Sequence, residues 1–417
     1  MFYKFLKVFI YQMFGKIILL GIGVYLAKEL GPEVFGEYVF LSSIFMILTT
    51  ISLFGTPTFI LREVPRLLSD KKSVKSLVFW STVIIVSFSI IWLLVFVFYY
   101  GFIEDNISLV FLFVFFIIPC RAIIILQSSI INALGFVNKS QISLSIVNPL
   151  SLIFLFVIIG NTEYELNINS TLAVFSFSLI LSCIISSILT YDSINSFRNE
   201  KANVISMYNL TKSCFPFAML MIVAILNTEF SILIIKWLGS EDILAFLRVG
   251  TQYTTALGFV LISLNVVISP NLARSIHTNN WEEAQKILNK SVNISFLIST
   301  PIIILAFFYS DELIDLIYGA EYSKSSLILK ILLVGQLINV SFGSLATALN
   351  MLKLEKEALK ASVITAIVTS ILLFITVPIF GAAGAASCIS FSMFLINILM
   401  ARVLLINTKL STWIKIP

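Results

Sequence analysis

The chain has 417 residues, of which 59% are hydrophobic and only 12% charged, and its mean hydropathy is +1.03. Soluble domains carry about 25% charged residues, so composition excludes a water-soluble globular protein and makes lipid the solvent of most of the chain. The net charge of +5 and the lone histidine exclude a histidine-built metal centre. Without a basic and aromatic cluster larger than a loop, they give no nucleic-acid reading either.

Apolar runs of about 20 residues, the length that crosses a hydrocarbon core as helix, recur about twelve times. Their cores are 8–27, 38–61, 77–100, 107–130, 142–160 and 171–191 in the first half of the chain. The second half contributes 215–238, 245–269, 292–309, 327–350, 361–380 and 382–406. In lipid every backbone N–H and C=O must be bonded within the span, and runs this long and continuous fit helices rather than barrel strands. The expected fold is an all-α integral membrane protein, with about twelve transmembrane helices in two parallel six-helix lobes. The lobes are residues 1–191 and 213–417, joined by a cytoplasmic linker over 192–212. Most of the 27 Lys and Arg fall in the segments that are cytoplasmic if the amino terminus is inside, against Lys28, Lys236, Lys324 and Lys330 at the opposite ends. This positive-inside pattern predicts cytoplasmic termini. The first run follows Lys4 and Lys7. It reads as a retained span, since it is longer than a signal h-region and lacks a small-x-small cleavage site.

Taken in order, the first span carries Lys16 about two turns in, placed either to snorkel to the cytoplasmic face or to face a wet cavity. Leu30-Gly31-Pro32-Glu33 breaks the helix, with Pro32 and Glu33 suited to a helix start. Gly55-Thr56-Pro57 predicts a kink in the second span. Arg62, Glu63 and Arg66 follow in helical spacing, either as an interfacial cluster or as a gate closing the cytoplasmic mouth through ion pairs. Arg121 lies in mid-span, where a cation costs about 2.5 to 3.5 kcal/mol on insertion scales, so it should face a cavity or an acid. Asn148-Pro149 is the obvious break in the fifth span.

The seventh span begins near Pro216 and holds Glu229 at mid-depth, beside Asn227 and Thr228. An acid inside the membrane can bind a proton, a sodium ion or an arginine. Arg248 enters the eighth span, from which it can snorkel or line the outer mouth. His277 sits in a cytoplasmic loop. Residues 311–326 read as a short amphipathic surface segment. Gly381 to Ala386 form a small-residue stripe for close helix packing. Cys120, Cys183, Cys214 and Cys388 fit no metal or redox spacing and read as apolar filler. The chain has no Gly-x-x-x-x-Gly-Lys-Ser/Thr sequence with which to hydrolyse ATP.

The stretch from Asn227 to Arg248 repeats Leu19 to Phe40. Lys236 matches Lys28, Leu238 matches Leu30, Gly239 matches Gly31 and Glu241 matches Glu33, while the same offset pairs Arg274 with Arg66. A weaker echo relates Ala133-Leu134-Gly135 to Ala348-Leu349-Asn350. One unit is used twice, as in transporters with a central site.

Lys28-Glu29-Leu30-Gly31-Pro32-Glu33-x-x-Gly36-x-Tyr38, then Gly55 with Arg62-Glu63-Val64-Pro65-Arg66, resembles the start of the Wzx-type O-antigen and capsule oligosaccharide flippases. These belong to the polysaccharide export family of the multidrug/oligosaccharidyl-lipid/polysaccharide (MOP) exporter superfamily. The acid before the Leu-Gly turn and the closing Phe380 to Ala386 are similar to that family too. The resemblance implies a MATE-like pair of six-helix lobes around a V-shaped cavity, moving undecaprenyl-diphosphate-linked oligosaccharide units across the bacterial inner membrane. It implies no catalytic residues, metal or cofactor. The implied partners are the lipid-linked oligosaccharide, membrane lipids, and the polymerase and chain-length proteins of the same pathway, with no nucleic acid. Arg121, Arg248, Lys16 and Arg62 are then candidates for receiving the diphosphate, because Arg matches phosphate oxygens with paired donors. Glu229 is the candidate for ion coupling, and Arg66 and Glu63 are gate candidates. A cation-coupled multidrug extruder shares this architecture. A membrane glycan polymerase would handle the same lipid but needs a larger outer loop.

Overall fold

In the computed structural model the described residues are 2–67, 71–101, 110–160, 166–194, 207–238, 241–408 and 410–413. The chain forms two compact units: Met1–Leu30 with Leu41–Ile225, and Gly31–Phe40 with Leu226–Pro417. Of the predicted linker, residues 195–206 lie outside the described residues, as do Gly239 and the side chains of Arg66, Glu241 and His277.

The first unit opens with α1 (Phe2–Leu53), which is two helices merged across Gly31 at φ 70°, ψ 170°. The predicted break is therefore present. Only glycine takes such a backbone without strain, and Pro32 starts the next helix without wasting an N–H. The second break is sharper than a kink, because α1 ends at Leu53 and Phe54 and Gly55 both take positive φ. The short α2 (Thr56–Glu63) then begins with Pro57 in its first turn. The remaining helices of this unit are α3 (Lys71–Gly101), α4 (Val110–Ala133), α5 (Val137–Gln141), α6 (Val147–Gly160), α7 (Ile168–Ile194) and α8 (Met207–Leu238) as far as Ile225. The last begins well before Pro216 and runs through it. The apolar run that marked this span starts later than the helix, because helical geometry continues past the point where composition changes.

Leu53, Ile60, Val64, Ile84, Ile85, Leu126 and Ile130 are buried together in one core cluster. Where α7 meets α6 and the turn before it, polar contacts take over. Ser151 Oγ lies 2.7 Å from Ser178 Oγ, Asn148 Nδ2 donates to Ser178 Oγ at 3.2 Å, and the Ser143 and Ser186 hydroxyls lie 2.6 Å apart. Lipid tails are as apolar as Leu, so small and polar side chains are what tie spans together.

The break expected at Asn148-Pro149 sits one turn earlier. Residues Ile142–Ile146 form a π turn, and α6 runs uninterrupted through Pro149. Pro149 has no N–H to offer the Ser145 carbonyl four residues back, and the wider π turn absorbs that defect. The same carbonyl points at Gly15 of α1, where a Cβ would stand 1.8 Å from it.

The second unit continues α8 from Leu226 and adds α9 (Glu241–His277), α10 (Trp281–Phe308), α11 (Ser310–Tyr318), α12 (Lys324–Phe342), α13 (Leu345–Met351) and α14 (Glu355–Thr408). The last is bent at Gly381, φ 55°, ψ −131°. Asn280 caps α10 by accepting from the Glu283 N–H, and its amide donates to the Glu283 carboxylate. The first bond satisfies one of the N–H donors that a helix start leaves free, and the second ties the two side chains together. Where α12 meets the second limb of α14, Gly335 stands against Ser390, whose hydroxyl donates to the Ile331 carbonyl at 2.8 Å. The amphipathic α11 is held by Lys330 Nζ at 2.9 Å from Asp311 Oδ2. The hydrogen bonds from Lys330 and Ser326 hold the Asp311 carboxyl below its ordinary pKa. Tyr322 packs its ring against those of Phe35, Phe246 and Tyr318.

Two helix ends close alike, although they pair Gly135 with Lys353 and not with Asn350 as the weaker echo does. Phe136 N–H bonds the Ile131 carbonyl after Gly135, and Leu354 N–H bonds the Leu349 carbonyl after Lys353. Both are left-handed C-terminal closures, with Gly135 at φ 91° and Lys353 at φ 60°. A lysine there strains its Cβ, so Lys353→Gly is expected to raise stability by about 1 kcal/mol. A thermal melt of the purified protein checks this, and an unchanged or lower Tm would refute it.

Among the described residues, nine helices are long and apolar enough to cross a membrane. Two of them, Ile10–Leu53 and Glu355–Thr408, are each a pair of helices joined at a glycine. Counting those limbs separately and adding the 37-residue α9 gives the twelve expected crossings of a multi-pass, all-α membrane protein.

Candidate functional site

The second unit encloses a cavity of about 620 Å³, within the usual range of ligand sites. Val39 of α1 touches it, and three further helices build it, each through residues one turn apart. From α8 come Leu226, Glu229 and Ile232; from α9, Leu244, Leu247, Arg248, Thr251 and Thr255. The first limb of α14 presents Ser362, Thr365, Thr369 and Ser370, and the second limb Ile389, Ser392 and Met393. Spacings of three and four residues place each set on one helix face.

Glu229 is 7% exposed, and its Oε2 is buried without a hydrogen-bond partner. Arg248 is half-buried. Among the described residues no ion pair joins them, so the cavity holds one acid and one guanidinium that do not neutralise each other. Thr369 Oγ1 is likewise buried and unpartnered. A carboxylate in this position can take a proton, a metal cation or a ligand's hydroxyl or ammonium donor. The guanidinium can anchor an anionic or carbonyl oxygen.

Among the described residues, Glu229 and Arg248 are the sequence-derived candidates that line this cavity. The other candidate cations belong to the first unit. Arg121 is half-buried in α4 and Lys16 is exposed on α1. Arg62, on α2, puts Nε 2.7 Å from Glu63 Oε1 and lies over the rings of Phe217 at 4.8 Å and Phe59 at 5.7 Å. Glu63 thus pairs with its own neighbour in sequence. The four cysteines are free.

Sequence reading overlooked the hydroxyl face of α14. The signal was available, because Ser362, Thr365, Thr369 and Ser370 recur at helical spacing inside an otherwise apolar run. Nothing in that spacing distinguishes a cavity wall from a helix-packing seam.

A profile of the polysaccharide biosynthesis protein family matches residues 4–276, and the MatE profile matches residues 216–376. The capsular polysaccharide biosynthesis protein CapF of Staphylococcus aureus is 26% identical over 258 residues, spanning 61% of this chain and 63% of that protein. A putative O-antigen transporter of Shigella flexneri is 25% identical over 389 residues, 87% of each chain. Among solved structures, the lipid II flippase MurJ in an inward closed conformation superposes with TM-score 0.71 at 16% identity, covering 95% of this chain and 86% of that one. An inward-facing multidrug resistance MATE transporter of the MOP superfamily gives TM-score 0.75 at 10% identity, covering 92% of each. At such identities the likeness shows the fold alone, and that fold is the MOP type that the family resemblance implied. With two thirds of its length matched by one profile, the chain belongs to the polysaccharide biosynthesis protein family.

Proposed function

We propose that this chain is a flippase, carrying undecaprenyl-diphosphate-linked oligosaccharide units of a surface polysaccharide from the cytoplasmic to the periplasmic leaflet of the inner membrane. The observation that carries the reading is a largely apolar cavity that holds Arg248, Glu229 and a set of hydroxyls, with no ion pair between Arg248 and Glu229 among the described residues, in a chain of the polysaccharide biosynthesis protein family. Translocation proceeds by alternating access of two six-helix lobes, residues 1–191 and 213–417, about the linker 192–212, with both termini cytoplasmic. Arg121, Lys16, Arg62 and Arg248 are the cations on the substrate's path, Glu229 couples movement to an ion, and Glu63 and Arg66 serve the cytoplasmic gate. The polymerase and chain-length proteins of the same pathway take the flipped product.

The MatE match over 216–376 and the unpaired carboxylate of Glu229 favour a second reading, extrusion of an organic cation. Both are tested in proteoliposomes containing the full-length chain. Leaflet-resolved transport of a fluorescent undecaprenyl-diphosphate trisaccharide is followed beside ethidium efflux. The first reading expects glycan-lipid transport and no ethidium movement, with Arg121→Ala slowing transport about tenfold or more. Ethidium efflux without lipid transport would replace it with the second.

A further inference from the structure

The hydrogen-bond directions around the cavity say more about its ligand than its charge does. On α9, Thr251 Oγ1 donates to the Arg248 carbonyl and Thr255 Oγ1 to the Thr251 carbonyl, at 3.0 and 2.7 Å. On the first limb of α14, Ser362, Thr365 and Ser370 donate to the carbonyls of Ala358, Ala361 and Ala366 at 3.0, 2.9 and 2.8 Å. Ser392 on the second limb donates to the Ile389 carbonyl at 2.7 Å. A hydroxyl has one proton, and in six of these side chains it is already given to the helix that carries it. What they turn to the cavity is lone pairs. Glu229, more than nine-tenths buried with Oε2 unpartnered, adds further acceptor sites. Arg248, together with the uncommitted Thr369 hydroxyl, is left to donate.

A diphosphate has oxygens that only accept, and it needs a wall of donors. This wall is the reverse. A sugar is the opposite kind of ligand, because each of its hydroxyls brings a proton to give. We infer, resting on the flippase reading, that the cavity of the second unit seats the hydroxyl-rich glycan of the lipid-linked substrate. The diphosphate is left to the cations of the first unit. Arg248 then anchors a ring, carbonyl or carboxylate oxygen of the glycan, and Glu229 accepts from its hydroxyls. The acceptors sit on three helices and face one space, so they discriminate by the positions of the donors rather than by net charge. In a membrane the unpaired acceptors would otherwise cost desolvation without return, which a donor-bearing ligand offsets.

Equilibrium binding to the full-length chain in nanodiscs tests this with two probes, undecaprenyl diphosphate alone and the undecaprenyl-diphosphate trisaccharide of the transport assay. The double variant Thr365→Val with Thr369→Val removes two hydroxyls and keeps side-chain shape. It is expected to weaken the glycan-bearing lipid about tenfold and the bare lipid less than about twofold. Ser362→Ala with Ser370→Ala, which only trims side chains, should repeat the pattern if the first pair folds poorly. Arg121→Ala is expected to weaken both lipids alike. Equal weakening of both lipids by the hydroxyl variants, or no weakening of either, overturns the glycan seat while leaving the flippase reading intact. Ethidium binding that is lost in the hydroxyl variants, with glycan-lipid binding untouched, assigns the acceptors to an organic cation. Failure of the wild type to bind or move either lipid overturns both readings.

Discussion

Glu229→Gln is expected to lower glycan-lipid transport by about tenfold or more while leaving the folded yield and Tm unchanged. The two halves of that result have separate causes. Hydrogen bonds to a charged group contribute about 1.5 to 3 kcal/mol, so replacing the carboxylate by a neutral amide in a ligand site costs roughly ten- to hundredfold in binding or coupling. Stability is spared because Oε2 has no hydrogen bond to lose and, among the described residues, no ion pair joins Glu229 to Arg248. The amide is also cheaper to bury than an ionised acid. A carboxylate held for structure alone predicts the reverse pattern, in which transport per folded molecule is retained and the melting temperature falls. Measuring transport at matched reconstitution beside a thermal melt separates the two, and full activity in the glutamine variant would remove Glu229 from the mechanism.

The second large effect is on folding. Gly55→Ala is expected to destabilise the protein by about 2 to 5 kcal/mol, seen as loss of the monodisperse folded fraction and a lower Tm. Two penalties combine. Gly55 holds φ at 71°, where an L side chain costs about 1 to 2 kcal/mol. Its Cβ would also stand 2.4 Å from the Ala218 nitrogen, 2.7 Å from the Cys214 carbonyl oxygen and 2.8 Å from the Phe217 carbonyl carbon. All three obstacles are backbone of α8, so no side-chain rotation relieves them and the helices must separate. Overpacking of this kind adds about 1 to 3 kcal/mol. Gly21 is the control, since a Cβ there meets nothing within 4 Å. It lies in the interior of α1, so Gly21→Ala should be neutral or stabilising by up to about 1 kcal/mol. Equal melting temperatures for the two variants would show that the close approach at Gly55 is not required.

The sequence located the breaks that glycine makes better than those that proline makes. Gly31 and Gly55 stand at helix ends with positive φ, because the residue that can adopt that backbone also names the place. Pro149 and Pro216, read as a break and as a helix start, lie inside continuous helices. In a membrane-spanning helix a missing N–H can be absorbed by a nearby π turn or a neighbouring helix, which leaves the position of the bend to packing. Charge was legible in the same partial way. Arg248 and Glu229 stood out as costly residues in an apolar run, and the cavity holds both. Arg121 and Lys16 stood out for the same reason, and Arg62 as part of an interfacial cluster, yet they belong to the other unit. Burial cost marks a residue as needing an environment without saying which one.

Composition and run length determined by themselves that this is an all-helical, multi-pass membrane protein of about twelve spans. Backbone hydrogen bonding in lipid must be satisfied within each segment, so that outcome depends on local sequence alone. The doubled Leu-Gly-x-Glu turn, the helix breaks and the family resemblance were local properties too. Only the tertiary structure decided that Glu229, Arg248, the α14 hydroxyls and Ser392, drawn from positions 229 to 392, converge on one space. A serine or threonine inside a span can bond its own helix wherever it points. Whether its remaining lone pairs meet a neighbouring helix or an open cavity is set by how the helices pack.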